Sequence, residues 1–441
     1  MFLLLLLLLL PVMLLHVAVP AGSAIHPLLF WLMLLLPILV FSFIWPVARE
    51  SSPEELAAKL EAEQAPQEAE WRQDRLQLPG PLGKRVAREM EIEGTRHERE
   101  LVIFEGRLRG DPEAAFERLK RSFAEVNLSP RLLEGERGRT LVVGVPLSPA
   151  EARPARQHLG VPLLLFAATL LTTTWAGALH QGINLLREPA RFAVGLRYSL
   201  ALMAILLIHE LGHYVTGRLH GIKVTLPYFI PVPMGLGTFG AFIQIRSAIP
   251  DRRKLFDVGV AGPLAGLVIA LPALYVGLAG SVTTSSGSGV NLSSSVLLAW
   301  LYGLANGSPV QPDHVVSLGP VGFAGWLGVL VTALNLIPVG QLDGGHVAYA
   351  LFGRRRAETV GWVAFFLLAA LGLFYWSGWL TWAVLIFFLG GFKHEPALNE
   401  LPPPGWKWGL IGAFAFALLF LIMAPVPHRL MTALGILCPY L

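Results

Sequence analysis

Ile208-His209-Glu210-Leu211-Gly212-His213 closes an apolar run that begins at Tyr198, and no other stretch restricts the chemistry of the chain as much. On a helix, His209 and His213 are one turn apart and share a face. Two neutral imidazoles so placed can bind one divalent metal, most often zinc, and leave coordination positions open. Glu210 sits beside the first of them, where it can take a proton from an attacking water. A bare His-Glu-x-x-His is short and arises by chance in soluble helices. Within a hydrophobic run the balance changes, because a charge near the middle of a membrane helix costs about 2.5–3.5 kcal/mol. An acid flanked by two His there points to function.

A tetrahedral catalytic site takes a third protein ligand. The best candidate follows a later apolar run, Trp326 to Ile337, in Asn335-Leu336-Ile337-Pro338-Val339-Gly340-Gln341-Leu342-Asp343-Gly344-Gly345-His346. Pro338 and the three glycines interrupt helix geometry. Broken backbone at membrane depth is tolerated only inside protein or along a cavity. Asp343 then faces a polar interior, where a metal offsets its charge. It also suits the cap of a helix resuming at Gly344, and the two roles are compatible. His346 can support the ligands or compete with Asp343 for the metal, but a lone His in such a place is more often structural.

These two motifs, His209-Glu210-Leu211-Gly212-His213 and Asn335-x-x-Pro338-x-x-x-Leu342-Asp343-Gly344, resemble the site-2 protease family of intramembrane zinc metalloproteases, peptidase family M50. The resemblance covers roughly residues 191–391. It includes Gly237-Thr238-Phe239-Gly240-Ala241-Phe242-Ile243-Gln244-Ile245 and Ala261-Gly262-Pro263-Leu264-Ala265-Gly266. These stretches look most like the cyanobacterial and plastid branch, the ethylene-dependent gravitropism-deficient and yellow-green (EGY) type. Three places depart from the pattern: Leu336 stands where many members have Pro, Gly266 where many have Asn, and Gly106-Arg107-Leu108-Arg109 where the plant branch has Gly-Asn-Leu-Arg. None is a metal-ligand position. The resemblance implies one Zn²⁺ per chain held by His209, His213 and Asp343, with Glu210 as general base. It also implies a locally unwound transmembrane segment of another protein as substrate.

Composition agrees with a polytopic α-helical membrane protein, since 54% of the 441 residues are hydrophobic. A net charge of +4 suits an anionic lipid surface and gives no reason to expect nucleic acid. Cys438 is the only cysteine, which excludes a disulfide scaffold.

Read in order, the chain begins with two apolar runs, residues 2–19 and 28–47. Ala21-Gly22-Ser23-Ala24 resembles a cleavage site, but no Lys or Arg precedes the first run, so residues 1–47 read as a transmembrane hairpin rather than a signal peptide. Residues 48–97 read as a helical linker that opens at Ser52-Pro53-Glu54-Glu55. Residues 98–158 read as a small α+β soluble domain of β-α-β-β order. Its strands lie at Leu101–Phe104, Leu132–Leu133 and Thr140–Val143, and its helix starts at Asp111-Pro112. It carries no metal or nucleophile constellation, so binding or regulation through a partner suits it better than catalysis.

Residues 159–391 form the expected metalloprotease core, and residues 392–441 a last transmembrane helix and tail. Residues 224–247 are apolar but too rich in Pro and Gly to span. They read as a strand or hairpin dipping into the protein, with alternation at Phe239–Ile245. An exposed strand edge there can accept an extended peptide. Gly237, Phe239, Gly240 and Phe242 are therefore candidate substrate-binding residues, with Asn335 and Pro338 beside the second motif. Gly262-x-x-x-Gly266 allows close helix packing. The count is about nine spans. Arg252-Arg253-Lys254 and Arg354-Arg355-Arg356 mark the cytoplasmic side, against Arg187, Arg191 and Arg197 on the other. That choice puts the soluble domain and the opening of the site on the cytoplasmic side of the cytoplasmic membrane.

Two other readings stay open at this level. A membrane metal transporter explains intramembrane His and Asp, but gives Glu210 no task. A catalytically silent membrane scaffold explains the fold, but not an intact Glu210.

Overall fold

A computed structural model describes residues 80–424, apart from 99–100, 136–137, 147–158, 234, 285–289, 308–314, 375–377, 392–393 and 395. The first two apolar runs and the end of the chain lie outside the described residues. The chain divides into two units, one of residues up to 153 with 365–402, the other of residues 154–364 with 403 onward.

In the first unit, α1 (Gly80–Glu89) leads into β1 (Met90–Glu98) and β2 (Leu101–Leu108). Asp111 then caps α2 (Pro112–Ala124), its carboxylate accepting from the N–H of Ala114 at 2.9 Å, with Pro112 at the first helical position. Strands β3 (Leu128–Glu134) and β4 (Thr140–Pro146) complete an antiparallel sheet of order β1-β2-β4-β3. Phe116, Leu119 and Phe123, spaced three and four apart on α2, bury against Phe104, Leu132 and Val142 of the sheet. Residues 101–146 follow the expected β-α-β-β order. The expected helical linker ends differently, because residues 90–98 form a strand. Met90 is buried while charged residues alternate along this edge strand, and that charge hides it in the sequence.

The second unit contains most of the apolar helices. They are α3 (Gly160–His180), α4 (Phe192–Leu219) and, after the hairpin β5 (Tyr228–Pro231) and β6 (Thr238–Phe242), α5 (Arg252–Ala279). A short three-stranded sheet, β7 (Val282–Thr284), β8 (Val290–Asn291) and β9 (Val315–Ser317), flanks α6 (Val296–Asn306). Next come α7 (Pro320–Leu336), α8 (Asp343–Phe352) and α9 (Arg354–Phe374), whose later part belongs to the first unit, as does α10 (Gly378–Gly390). The last described helix is α11 (Trp406–Met423). Leu267, Ala270 and Leu274 of α5 pack with Leu298 and Leu301 of α6 and with Val329 and Ala333 of α7. α4 and α5 cross closely, so that Gly212 lies against the backbone of Ala261.

Among the described residues, five helices are long and apolar enough to cross a membrane: Gly160–His180, Pro189–Leu219, Arg252–Ala279, Arg354–Leu373 and Trp406–Met423. The apolar run that ends at Ile337 lies on a 17-residue helix, α7. At 1.5 Å per residue that is about 25 Å, short of the roughly 30 Å hydrocarbon layer. It stops because Ile337, extended at φ −60° and ψ 128°, precedes Pro338, which excludes the α conformation before it.

The hairpin is bound to α3 and α4. Thr172 Oγ1 donates to the carbonyl of Gly237 at 2.7 Å, and the Tyr198 hydroxyl donates to that of Leu236 at 3.0 Å. Phe229 buries in a cluster with Tyr198, Leu202 and Leu206. Gly237 has φ +84°, and a Cβ there would strike the backbone of Thr173, so only glycine fits.

Candidate metal centre

Helix α4 has no interior proline, and its apolar stretch carries both His to the same buried face. His209, Glu210 and His213 are 4%, 6% and 6% exposed. The third element arrives from α7 and α8. After Ile337 the chain makes a compact reversal, with Gly340 at φ +48°, and α8 begins at Asp343. Gly344 lies so close to the carbonyl of Leu336 that a Cβ would overlap it. Leu342, not Asp343, is the N-cap, and no side chain caps the helix. The Asp343 carboxylate instead faces the two imidazoles, at the positive end of the α8 dipole.

His209 Nε2 and His213 Nε2 are 3.2 Å apart. Asp343 Oδ2 is 3.3 Å from the first and Oδ1 3.3 Å from the second. Three donors with bonds of about 2.0–2.1 Å to a common tetrahedral centre stand about 3.3 Å from one another. The triangle therefore has the size of one face of such a site. Its protonation agrees. His213 Nδ1 lies 2.7 Å from the carbonyl of Val258, so it carries the proton and Nε2 presents a lone pair. In that tautomer Nε2 is the atom free to bind a metal. Among the described residues, this is the one group of three His, Cys, Asp or Glu side chains close enough to share a metal ion.

Other expected residues fall around this triangle. The Asn335 side-chain amide is 3.3 Å from His209 Nε2, and Pro338 lies in the reversal between α7 and α8. Glu210 is buried beside the triangle, and its carboxylate accepts a hydrogen bond from the backbone N–H of Ile243, one residue past β6. β6, carrying Phe239, Gly240 and Phe242, packs against α4. Phe239 and Phe242 are exposed, and Gly240 has φ +96°. The strand expected over Phe239–Ile245 is shorter, ending at Phe242, with Ile245 forming only an isolated bridge to Val224. His346 is half-buried on α8, outside the triangle.

Two contributions escaped the sequence. One is the Val258 carbonyl. The other is the purpose of Gly262-x-x-x-Gly266, which reads as helix packing. A Cβ at Gly262 would land on the imidazole of His213, and one at Gly266 would stand 3.2 Å from His209 Nδ1. The glycines thus make room for the two imidazoles themselves.

The model of "Peptidase family M50" matches residues 197–374, a span holding every member of the triangle. The chain is 30% identical over 339 residues to the probable zinc metalloprotease EGY2, chloroplastic, of Arabidopsis thaliana, covering 74% of this chain and 60% of that protein. Against the probable zinc metalloprotease EGY1, chloroplastic, of the same plant it is 29% identical over 378 residues, covering 76% and 68%. Residues 197–374 belong to peptidase family M50, and the chain is similar to EGY-type members of that family. No solved structure matches it. It spans about three fifths of the length of the EGY2 relatives. With five helices of spanning length and composition among its described residues, the chain is an integral membrane protein.

Proposed function

We propose that the chain is a zinc-dependent endopeptidase that cuts transmembrane segments of other proteins. The observation that carries this reading is the His209–His213–Asp343 triangle, with both imidazoles buried and Glu210 beside it. His209 and His213 through Nε2, and Asp343 through its carboxylate, are the residues that would hold one Zn²⁺. When bound, the ion supplies Lewis-acid polarisation of the scissile carbonyl and of a water. Glu210 takes the proton of the attacking water and returns it to the departing amide nitrogen. The Asn335 amide donates to the carbonyl oxygen of the substrate. Extended substrate pairs along β6, with Phe239 and Phe242 against its side chains and Gly237 and Gly240 shaping the turn. Pro338 keeps the reversal open beside Asn335. In vesicles, the purified protein should cleave a co-reconstituted transmembrane segment, stop on chelation and resume on adding zinc. Cleavage indifferent to chelator would remove the metal from the mechanism.

A metal transporter or a silent scaffold accounts less well for this site. Neither needs a buried acid beside the ligands, next to a hairpin that can also carry peptide.

Gly262→Ala should weaken zinc binding by about 10–100-fold, the range found when support of a ligand is lost, because His213 must turn away. Metal content after dialysis reads this directly. Full retention would show that the helix yields instead.

The same reading extends to the whole chain. Nine spans follow if the two N-terminal runs, Pro320–Leu336 and Gly378–Gly390 cross along with the five longer helices. The scheme of a hairpin at 1–47, a linker, a soluble module, a core at 159–391 and a C-terminal helix then stands. The basic clusters at Arg252 and Arg354 support a place in the cytoplasmic membrane, with the module and the site opening on the cytoplasmic side. Reporter fusions after Arg356 should read as cytoplasmic and fusions in the 280–295 loop as external. The reverse pattern would make Arg187, Arg191 and Arg197 the deciding charges.

A further inference from the structure

The sheet of the first unit has a fifth contributor. Leu132, in edge strand β3, donates its N–H to the carbonyl of Leu398 at 2.8 Å, and its own carbonyl accepts from the N–H of Glu400 at 2.9 Å. This places Asn399 in a parallel bridge beside β3. The contributing residues lie in the link between α10 and α11. They are buried far beyond the needs of a connector, with Ala397 1%, Asn399 2% and Glu400 5% exposed. Leu398 and Leu401 pack on the core of Phe104, Phe116 and Leu132. Polar anchors fix the register. Asn399 Nδ2 donates to the carbonyl of Pro112, at the start of α2, at 3.4 Å. Asn399 Oδ1 accepts from the N–H of Leu401 at 3.3 Å, and the Glu400 carboxylate accepts from the N–H of Glu134 at 3.4 Å.

Three features give this segment the character of a seated ligand. The four strands already form a continuous antiparallel sheet without it. It pairs in parallel, through a single residue of β3, where every ladder within that sheet is antiparallel and longer. Pro396 on one side and Pro402-Pro403-Pro404 on the other bracket it. Prolines lack a donor and keep their predecessors extended, so the pairing cannot spread and the strand is pre-formed.

We propose that the β3 edge is a peptide-binding edge that works by strand addition, and that residues 397–401 are its resident ligand in cis. The peptide it takes is short, extended and bracketed by proline. It reads small, apolar, Asn, acidic, apolar, after Ala-Leu-Asn-Glu-Leu. The Asn serves the Pro112 carbonyl, the acid serves the Glu134 N–H, and the two apolar residues cover the core. A segment of another protein with this chemistry displaces the strap and frees the link ahead of α11. This holds whether or not the metal centre is a protease site.

The test uses the full chain in detergent and a labelled peptide of residues 396–402, Pro-Ala-Leu-Asn-Glu-Leu-Pro. A variant with its own strap disabled, Leu398→Asp with Asn399→Ala, should bind the peptide. The wild type should bind it at least about tenfold more weakly, because a tethered strap competes at an effective concentration of order millimolar. A peptide with Ala in place of Asn and Glu should lose binding to the variant. Amide hydrogen exchange in β2 and β4 reports whether the sheet is intact. Absence of binding by a variant with an intact sheet would overturn the proposal, as would equal binding by variant and wild type. Loss of protection in β2 and β4 would overturn it too, by making the segment an integral strand.

Discussion

A Glu210→Gln variant is expected to hold zinc as the wild type does and to cleave a membrane-embedded substrate about 10²–10⁴ times more slowly, the usual cost of losing a general base. The geometry makes this substitution clean. Glu210 is not one of the three inward-facing donors, so metal retention does not depend on its charge. Gln keeps a carbonyl oxygen that can still accept from the Ile243 N–H, so the hairpin contact survives. What it cannot do is take the proton of the attacking water. Metal analysis and a cleavage assay on the same preparation separate the two roles. Cleavage at the wild-type rate would end the proposed mechanism. Loss of metal along with activity would instead make Glu210 part of the binding site.

The second large effect is on metal content. Asp343→Ala should reduce zinc affinity by at least about 100-fold, the upper end of what supporting groups alone contribute. It leaves two imidazoles, too few for a catalytic site. It should not unravel α8, because Leu342 is the N-cap and the Asp343 side chain does not cap the helix. Zinc per chain after equilibrium dialysis, with circular dichroism as the control for folding, checks both statements. Full retention would remove Asp343 from the site. The half-buried His346, one turn further along α8, would then be the next candidate.

Most of the centre could be read from the amino-acid order, for physical reasons that also explain what could not. His209 and His213 belong to one helix, so their meeting depends only on helix pitch. Asp343 showed itself as a charge in a broken apolar run, where few roles other than metal binding justify its cost. The carbonyl of Val258 had no such mark, since every residue carries one and only the crossing of α4 and α5 selects it. Gly262 was visible as a small residue, but its neighbour was not. The strand β1 was missed because its charges obscure a short alternation. The seat of residues 397–401 on β3 was missed because a single bridge leaves no period to detect.

The distribution of the metal ligands along the chain bears on how the protein is made. Asn335 follows His209 by 126 residues, and Asp343 comes later still. A nascent chain that has inserted only as far as α5 therefore carries both imidazoles and the acid Glu210, but no complete centre. The triangle closes only when α7 has entered and α8 has folded back at the Gly344–Leu336 contact. On the proposed reading, the candidate centre is therefore incomplete until this part of the polypeptide has left the ribosome.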